Sequence, residues 1–157
     1  LRFFRRQPPT SSLPLDALSR KLVTLLALVT GHRLQTLNLI KIVNIQFCES
    51  NIKIFIADRI KSSAIGRNQP LLVIPFYSEP QICAAVTLNR YLKATALLRG
   101  KIQNLFISTC PPTRAVTTQT LGRWIRITLK ESGIDPRFTP HSTRHASTSA
   151  AERGGAQ

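Results

Sequence analysis

The sequence predicts an α+β fold: a mainly helical domain in which helices surround a small three-stranded antiparallel sheet. Two observations carry this expectation. Apolar residues recur at helical spacing over Leu15–Val29 and again over Thr118–Ser132. Between them, Ile42–Phe47, Asn51–Ala57 and Leu71–Phe76 are apolar and rich in β-branched residues, and polar turn residues separate them.

Each element has its own justification. Residues 1–13 are basic and proline-bearing (Arg2, Arg5, Arg6, Pro8, Pro9) and read as a linker or the remnant of a preceding segment. The domain proper then covers residues 14–157 and is expected to be incomplete at its C-terminus. In the first helix Leu15, Leu18, Leu22, Leu25, Leu26 and Val29 form one face, and Val23, Ala27 and Leu28 fill the other, so the helix should be buried. Gly31 stops it. Glu49-Ser50-Asn51 joins the first two strands, and a polar loop from Lys61 to Asn68 joins the second to the third. A helix follows over Pro80–Leu98, with Pro80 suited to its first turn. Leu105–Ile107 reads as a short extended piece, and Pro111-Pro112 breaks the chain. Thr118 is placed to cap the next helix, whose apolar stripe is Leu121, Trp124, Ile125 and Leu129, and Gly133 ends it. A last helix is expected to open around Pro140.

Composition narrows the partners. Hydrophobic residues make up 43% of the 157, which suits a folded core rather than a disordered chain. Twenty-two lysines and arginines face seven carboxylates, a formal charge of +15, so internal pairing cannot neutralise the excess. A polyanion is implied, and double-stranded DNA fits better than a single strand because aromatic residues are only 6% of the chain. Cys48, Cys83 and Cys110 are far apart, with no Cys-x-x-Cys spacing, and read as reduced small hydrophobes of an intracellular protein. The run Leu22–Val29 is too short to span a bilayer, so no membrane partner is expected. The chain starts at Leu1 and holds no Met, which suggests a fragment of a longer reading frame.

The chemistry-bearing residues lie far apart in sequence. Arg33 follows the helix-stopping Gly31, in Thr30-Gly31-His32-Arg33. A turn there is expected to present its side chain into a cleft. His141 and Arg144, in Thr139-Pro140-His141-Ser142-Thr143-Arg144-His145, share a helical face. That face offers an imidazole able to move a proton near neutral pH and a guanidinium matched to phosphate oxygens. Lys61 sits in the polar loop between the second and third strands. Each alone has a plainer reading, as a solvated arginine, a structural histidine or a solubilising lysine. His141 and His145 at i, i+4 could chelate a metal, but Arg144 between them would repel a cation, so no metal site is expected. Ser149 lacks the glycine-flanked turn of a hydrolase nucleophile.

Taken as an ordered series, these residues resemble the catalytic domain of the tyrosine recombinases of phage-integrase type, which share their chemistry with type IB topoisomerases. Thr30-Gly31-His32-Arg33 matches the first arginine box, His141 to His145 the His-x-x-Arg-His box, and Lys61 the hairpin lysine. The phrasing around both boxes is nearest to recombinases of eukaryotic mobile elements, of DIRS or Crypton type. The resemblance covers about residues 15–155. It implies DNA cleavage and rejoining through a 3′-phosphotyrosine, in site-specific recombination or mobile-element integration, in the nucleus, and with oligomerisation on DNA as an option. It implies Arg33 and Arg144 on the scissile phosphate, Lys61 protonating the leaving 5′-oxygen, and His141 assisting proton transfer. His145 and Gly31 would be structural, and no metal or other cofactor would be needed. The family's nucleophilic tyrosine follows the second box. Here the two tyrosines, Tyr77 and Tyr91, both precede it and are read as packing or surface residues. The chain is therefore expected to grip phosphate without an attacking group. The alternative is a non-catalytic nucleic-acid-binding module, a domesticated remnant. A third reading is a basic protein that assembles with RNA.

Overall fold

The computed structural model describes residues 1–57 and 70–134. In chain order these form helices α1 (Arg2–Arg6), α2 (Leu15–Thr30) and α3 (Leu34–Asn38), strands β1 (Ile45–Phe47), β2 (Asn51–Phe55) and β3 (Leu71–Pro75), and helices α4 (Ala84–Thr95) and α5 (Thr118–Glu131). This is the α+β arrangement the sequence predicts.

Helix α2 is the centre. Leu18, Leu22, Val23, Leu25, Leu26 and Ala27 are all buried, so apolar contact surrounds the helix. Helices α4 and α5 both pack on it, and α3 packs on α5. The sheet is antiparallel in the order β1-β2-β3. Its register puts Ile52 opposite Ile74 and Ile54 opposite Leu72. These four are buried and form the inner face, with β3 against α2 and α4. Tyr91, Phe106 and Trp124 tie α4 to α5, with ring centroids 5.9 and 6.3 Å apart.

Four local features differ from the sequence expectation. Residues 1–13, read as a linker, are folded onto the domain. Phe4 and Leu13 enter the core, Arg5 pairs with Glu79 at 2.8 Å, and the Gln81 amide donates to the carbonyls of Phe4, Gln7 and Pro8. Ile42–Asn44, expected in the first strand, is a 3₁₀ turn. The reason is that Ile42 N–H donates to the Gln103 carbonyl at 2.7 Å, which turns this segment away from β2. The helix expected over Pro80–Leu98 is split. Pro80–Ile82 is a 3₁₀ turn, and extended Cys83 restarts the helix by accepting the Val86 N–H on its Sγ at 3.5 Å. The cap of α5 is Thr117, not Thr118, with Oγ1 accepting the Thr120 N–H at 3.3 Å. Leu105–Ile107 is extended as expected: Leu105 N–H bonds the Ile40 carbonyl, and Ile107 bridges to Ala115.

Candidate functional site

The junction between α2 and α3 is built around Gly31. At φ 66° and ψ 10° it takes the left-handed conformation, and its N–H bonds the Ala27 carbonyl at 3.0 Å, which closes α2. Thr30 reinforces the stop. Its Oγ1 donates to the Leu26 carbonyl at 2.7 Å and accepts the His32 N–H at 3.2 Å. Arg33 follows with extended backbone, φ −68° and ψ 152°, and is the N-cap of α3, its carbonyl accepting the Leu37 N–H at 3.1 Å. Buried Thr36 and Leu37 anchor α3, so the Arg33 backbone is fixed on both sides while its side chain is exposed. Gly31 therefore ends α2, where the sequence places the helix stop.

Arg33 is the one expected catalytic residue among those described. Lys61, in the connection between β2 and β3, lies outside the described residues, as do His141, Arg144 and His145. The base of that connection is defined: Ile56 N–H donates to the Pro70 carbonyl at 3.1 Å, one step beyond the β2–β3 ladder.

The two tyrosines are placed. Tyr91 is 0% exposed, its hydroxyl accepts the Ile107 N–H at 3.0 Å, and burial pushes its pKa up. An oxygen in that position cannot reach a DNA phosphate. Tyr77 is 55% exposed, in the loop after β3. Among the described residues no cluster of three His, Cys, Asp or Glu could hold a metal, and no helix is long and apolar enough to cross a membrane.

One set of basic residues escaped the sequence reading. The outward face of α5 carries Arg123, Arg126 and Lys130, all exposed, at spacings of three and four. The signal was present: in an amphipathic helix, every charged position before its last turn is an arginine. Because α5 packs on α3, this ridge and Arg33 belong to adjoining elements.

Comparison with known proteins fits this geometry. The model of the phage integrase family matches residues 10–156. The crystal structure of XerA recombinase superposes with a TM-score of 0.63 at 24% identity, covering 96% of this chain and 53% of that one. A lambda integrase dimer bound to a COC′ core site superposes with a TM-score of 0.51 at 18% identity, covering 90% of this chain and 52% of that one. The chain thus spans about half the length of the structures it resembles. No curated protein matches it in sequence. With a family match running through both arginine boxes and a recombinase-like fold beneath it, the chain belongs to the phage integrase family, the tyrosine recombinases.

Proposed function

We propose that this domain grips the scissile phosphate of duplex DNA for strand cleavage and rejoining in site-specific recombination or integration. The observation that carries the reading is Arg33, exposed on a backbone fixed by Gly31 and α3, in a chain matched to the family over residues 10–156. A guanidinium held this way suits two non-bridging phosphate oxygens and their transition-state charge. Arg144 closes on the same phosphorus from the second box. A tyrosine Oη attacks that phosphorus, the P–O5′ bond breaks, and Lys61 delivers a proton to the departing 5′-oxygen while His141 assists proton transfer. Rejoining is the reverse, so no external energy source enters. The charge of +15 and the basic ridge of α5 support a duplex partner, as does the DNA-bound dimer of the lambda integrase neighbour. A mobile-element origin and a nuclear setting belong to the same proposal.

Burial of Tyr91 favours a second reading of the chain by itself, a binding module that does not cut. The test is binding of a short duplex followed by fluorescence anisotropy across a salt series, together with denaturing gels of a nicked duplex. Affinity falling steeply with salt and lost in part in Arg33→Ala supports the phosphate grip. Salt-independent binding overturns it. A covalent adduct that is lost in Tyr77→Phe or in Tyr91→Phe would contradict the reading of these two as packing or surface residues.

A further inference from the structure

The outer face of the sheet breaks the rule for a sheet covered on one side. Outward positions of such a sheet are ordinarily polar. Here the outward residues of β2 and β3 include Phe55, Leu71, Val73 and Pro75. Phe55 stands directly opposite Leu71, and Val73 is two residues along the same strand on the same face, so the three are contiguous. They are 48%, 47% and 46% exposed. The neighbouring row is Gln46, Lys53 and Val73, which places one cation beside the apolar strip. Lys53 makes no ion pair among the described residues.

We infer that this face docks an acidic, apolar segment of a partner protein, its hydrophobic side chains on Phe55, Leu71 and Val73 and a carboxylate on Lys53. Charge complementarity selects this occupant. Among the described residues the strip has a single cation, and aliphatic side chains offer nothing to a phosphate backbone, so DNA gains little on this strip. A second copy is a poor match too, since two surfaces of a chain carrying +15 repel. Three of its described carboxylates, Asp16, Glu79 and Glu131, are already paired with Arg20 or Arg5. The surface is made by β2 and β3, whereas Arg33 is carried by the junction of α2 and α3, so peptide binding here and duplex binding through Arg33 are assayed separately.

The test uses the whole chain and a fluorescein-labelled peptide of alternating leucine and glutamate. Its control is a serine–glutamate peptide of equal charge. The expected result is preference for the leucine peptide, with NMR shift changes confined to β2 and β3. Phe55→Thr with Leu71→Thr, both exposed and replaced by a good strand former, should weaken binding about tenfold or more with the circular dichroism spectrum unchanged. Lys53→Glu should weaken it as well and confer binding of a leucine–lysine peptide. Duplex affinity should not change in Phe55→Thr/Leu71→Thr. Equal binding of the serine peptide, or shift changes on α5 instead of the sheet, overturns the inference. So does loss of duplex binding in Phe55→Thr/Leu71→Thr, which would assign the face to DNA. A concentration-dependent mass abolished by the same variant would assign it to a second copy and overturn the inference equally.

Discussion

Lys21 Nζ donates to Thr10 Oγ1 at 2.9 Å, joining the middle of the central helix to the N-terminal segment. The amine is 1% exposed and lies 5.8 Å from the centroid of the Phe4 ring, so the segment that covers it also supplies its partners. No carboxylate pairs with it among the described residues. A buried ammonium with one neutral acceptor and one aromatic face is poorly solvated, which lowers its pKa to about 8.

The sign of the resulting pH dependence follows directly. The ordinary lysine value is 10.5, and the folded value is about 8. Between these the unfolded chain holds more protons, so stability rises with pH across this window and is lowest below it. Lys21→Met, similar in length and free of charge, should raise stability at neutral pH by about 1–3 kcal/mol. It should also remove the alkaline increment. Urea titrations of parent and variant at matched pH isolate the effect from other titrating groups. Parallel curves for the two proteins would show that Lys21 is better solvated than its burial indicates.

Arg99 gives a contrasting case of a buried cation. It is 5% exposed, and its guanidinium donates to the carbonyls of Asn104 at 2.8 Å, Leu105 at 3.1 Å and Ile102 at 3.4 Å, and to Thr95 Oγ1 at 2.7 Å. It thereby closes the end of α4 onto the extended Leu105–Ile107 piece. Arg99→Ala should destabilise by about 3 kcal/mol or more, because several buried carbonyls lose their donor. Arg99→Lys should rescue only part of this, since a point charge cannot span the same fork. Denaturant midpoints measure both, and a loss below about 1 kcal/mol would leave the geometry without consequence.

The tyrosines separate packing from chemistry. Tyr91→Phe leaves the Ile107 N–H without its acceptor in the core, so stability should fall by about 1–3 kcal/mol. Tyr77→Phe changes a hydroxyl on an exposed side chain and should stay within about 0.5 kcal/mol. Neither should alter duplex affinity. A binding defect in Tyr77→Phe at unchanged stability would place that loop at the DNA.

Much of the fold was legible because it follows from periodicity. The all-round apolar pattern of Leu15–Val29 requires a buried helix, and the apolar, β-branched runs of Asn51–Phe55 and Leu71–Pro75 read as strands, although Leu71–Pro75 is apolar at every position and only the register shows which face turns inward. The N-terminal segment was illegible because nothing local holds it. Its anchors are Lys21, on the helix that follows it, and Glu79 and Gln81, more than seventy residues away in sequence. Cys83 was missed as a cap because thiols rarely serve as one. At the site, the Gly31 stop and Arg33 could be read from a short local phrase, and the ridge of Arg123 and Arg126 was legible opposite the apolar stripe of α5, but its place beside Arg33 comes only from the packing of α5 on α3.

The last prediction concerns how Gly31 serves Arg33. A non-glycine residue at φ 66° is strained, so Gly31→Ala should cost about 1–2 kcal/mol in stability. Arg33→Ala removes an exposed side chain and should change stability by less than about 0.5 kcal/mol. For DNA the order reverses. Arg33→Ala should weaken duplex binding several-fold and flatten the slope of log affinity against log salt by about 0.9, the share of one phosphate contact. Gly31→Ala should weaken binding only by shifting the junction that aims Arg33. In the double variant the loss should therefore equal that of Arg33→Ala alone, the behaviour of two residues acting on one contact. Anisotropy titrations over a salt series, paired with urea unfolding, give all four corners of the cycle. Additive losses in binding would mean that Gly31 supports the DNA surface by a route other than Arg33.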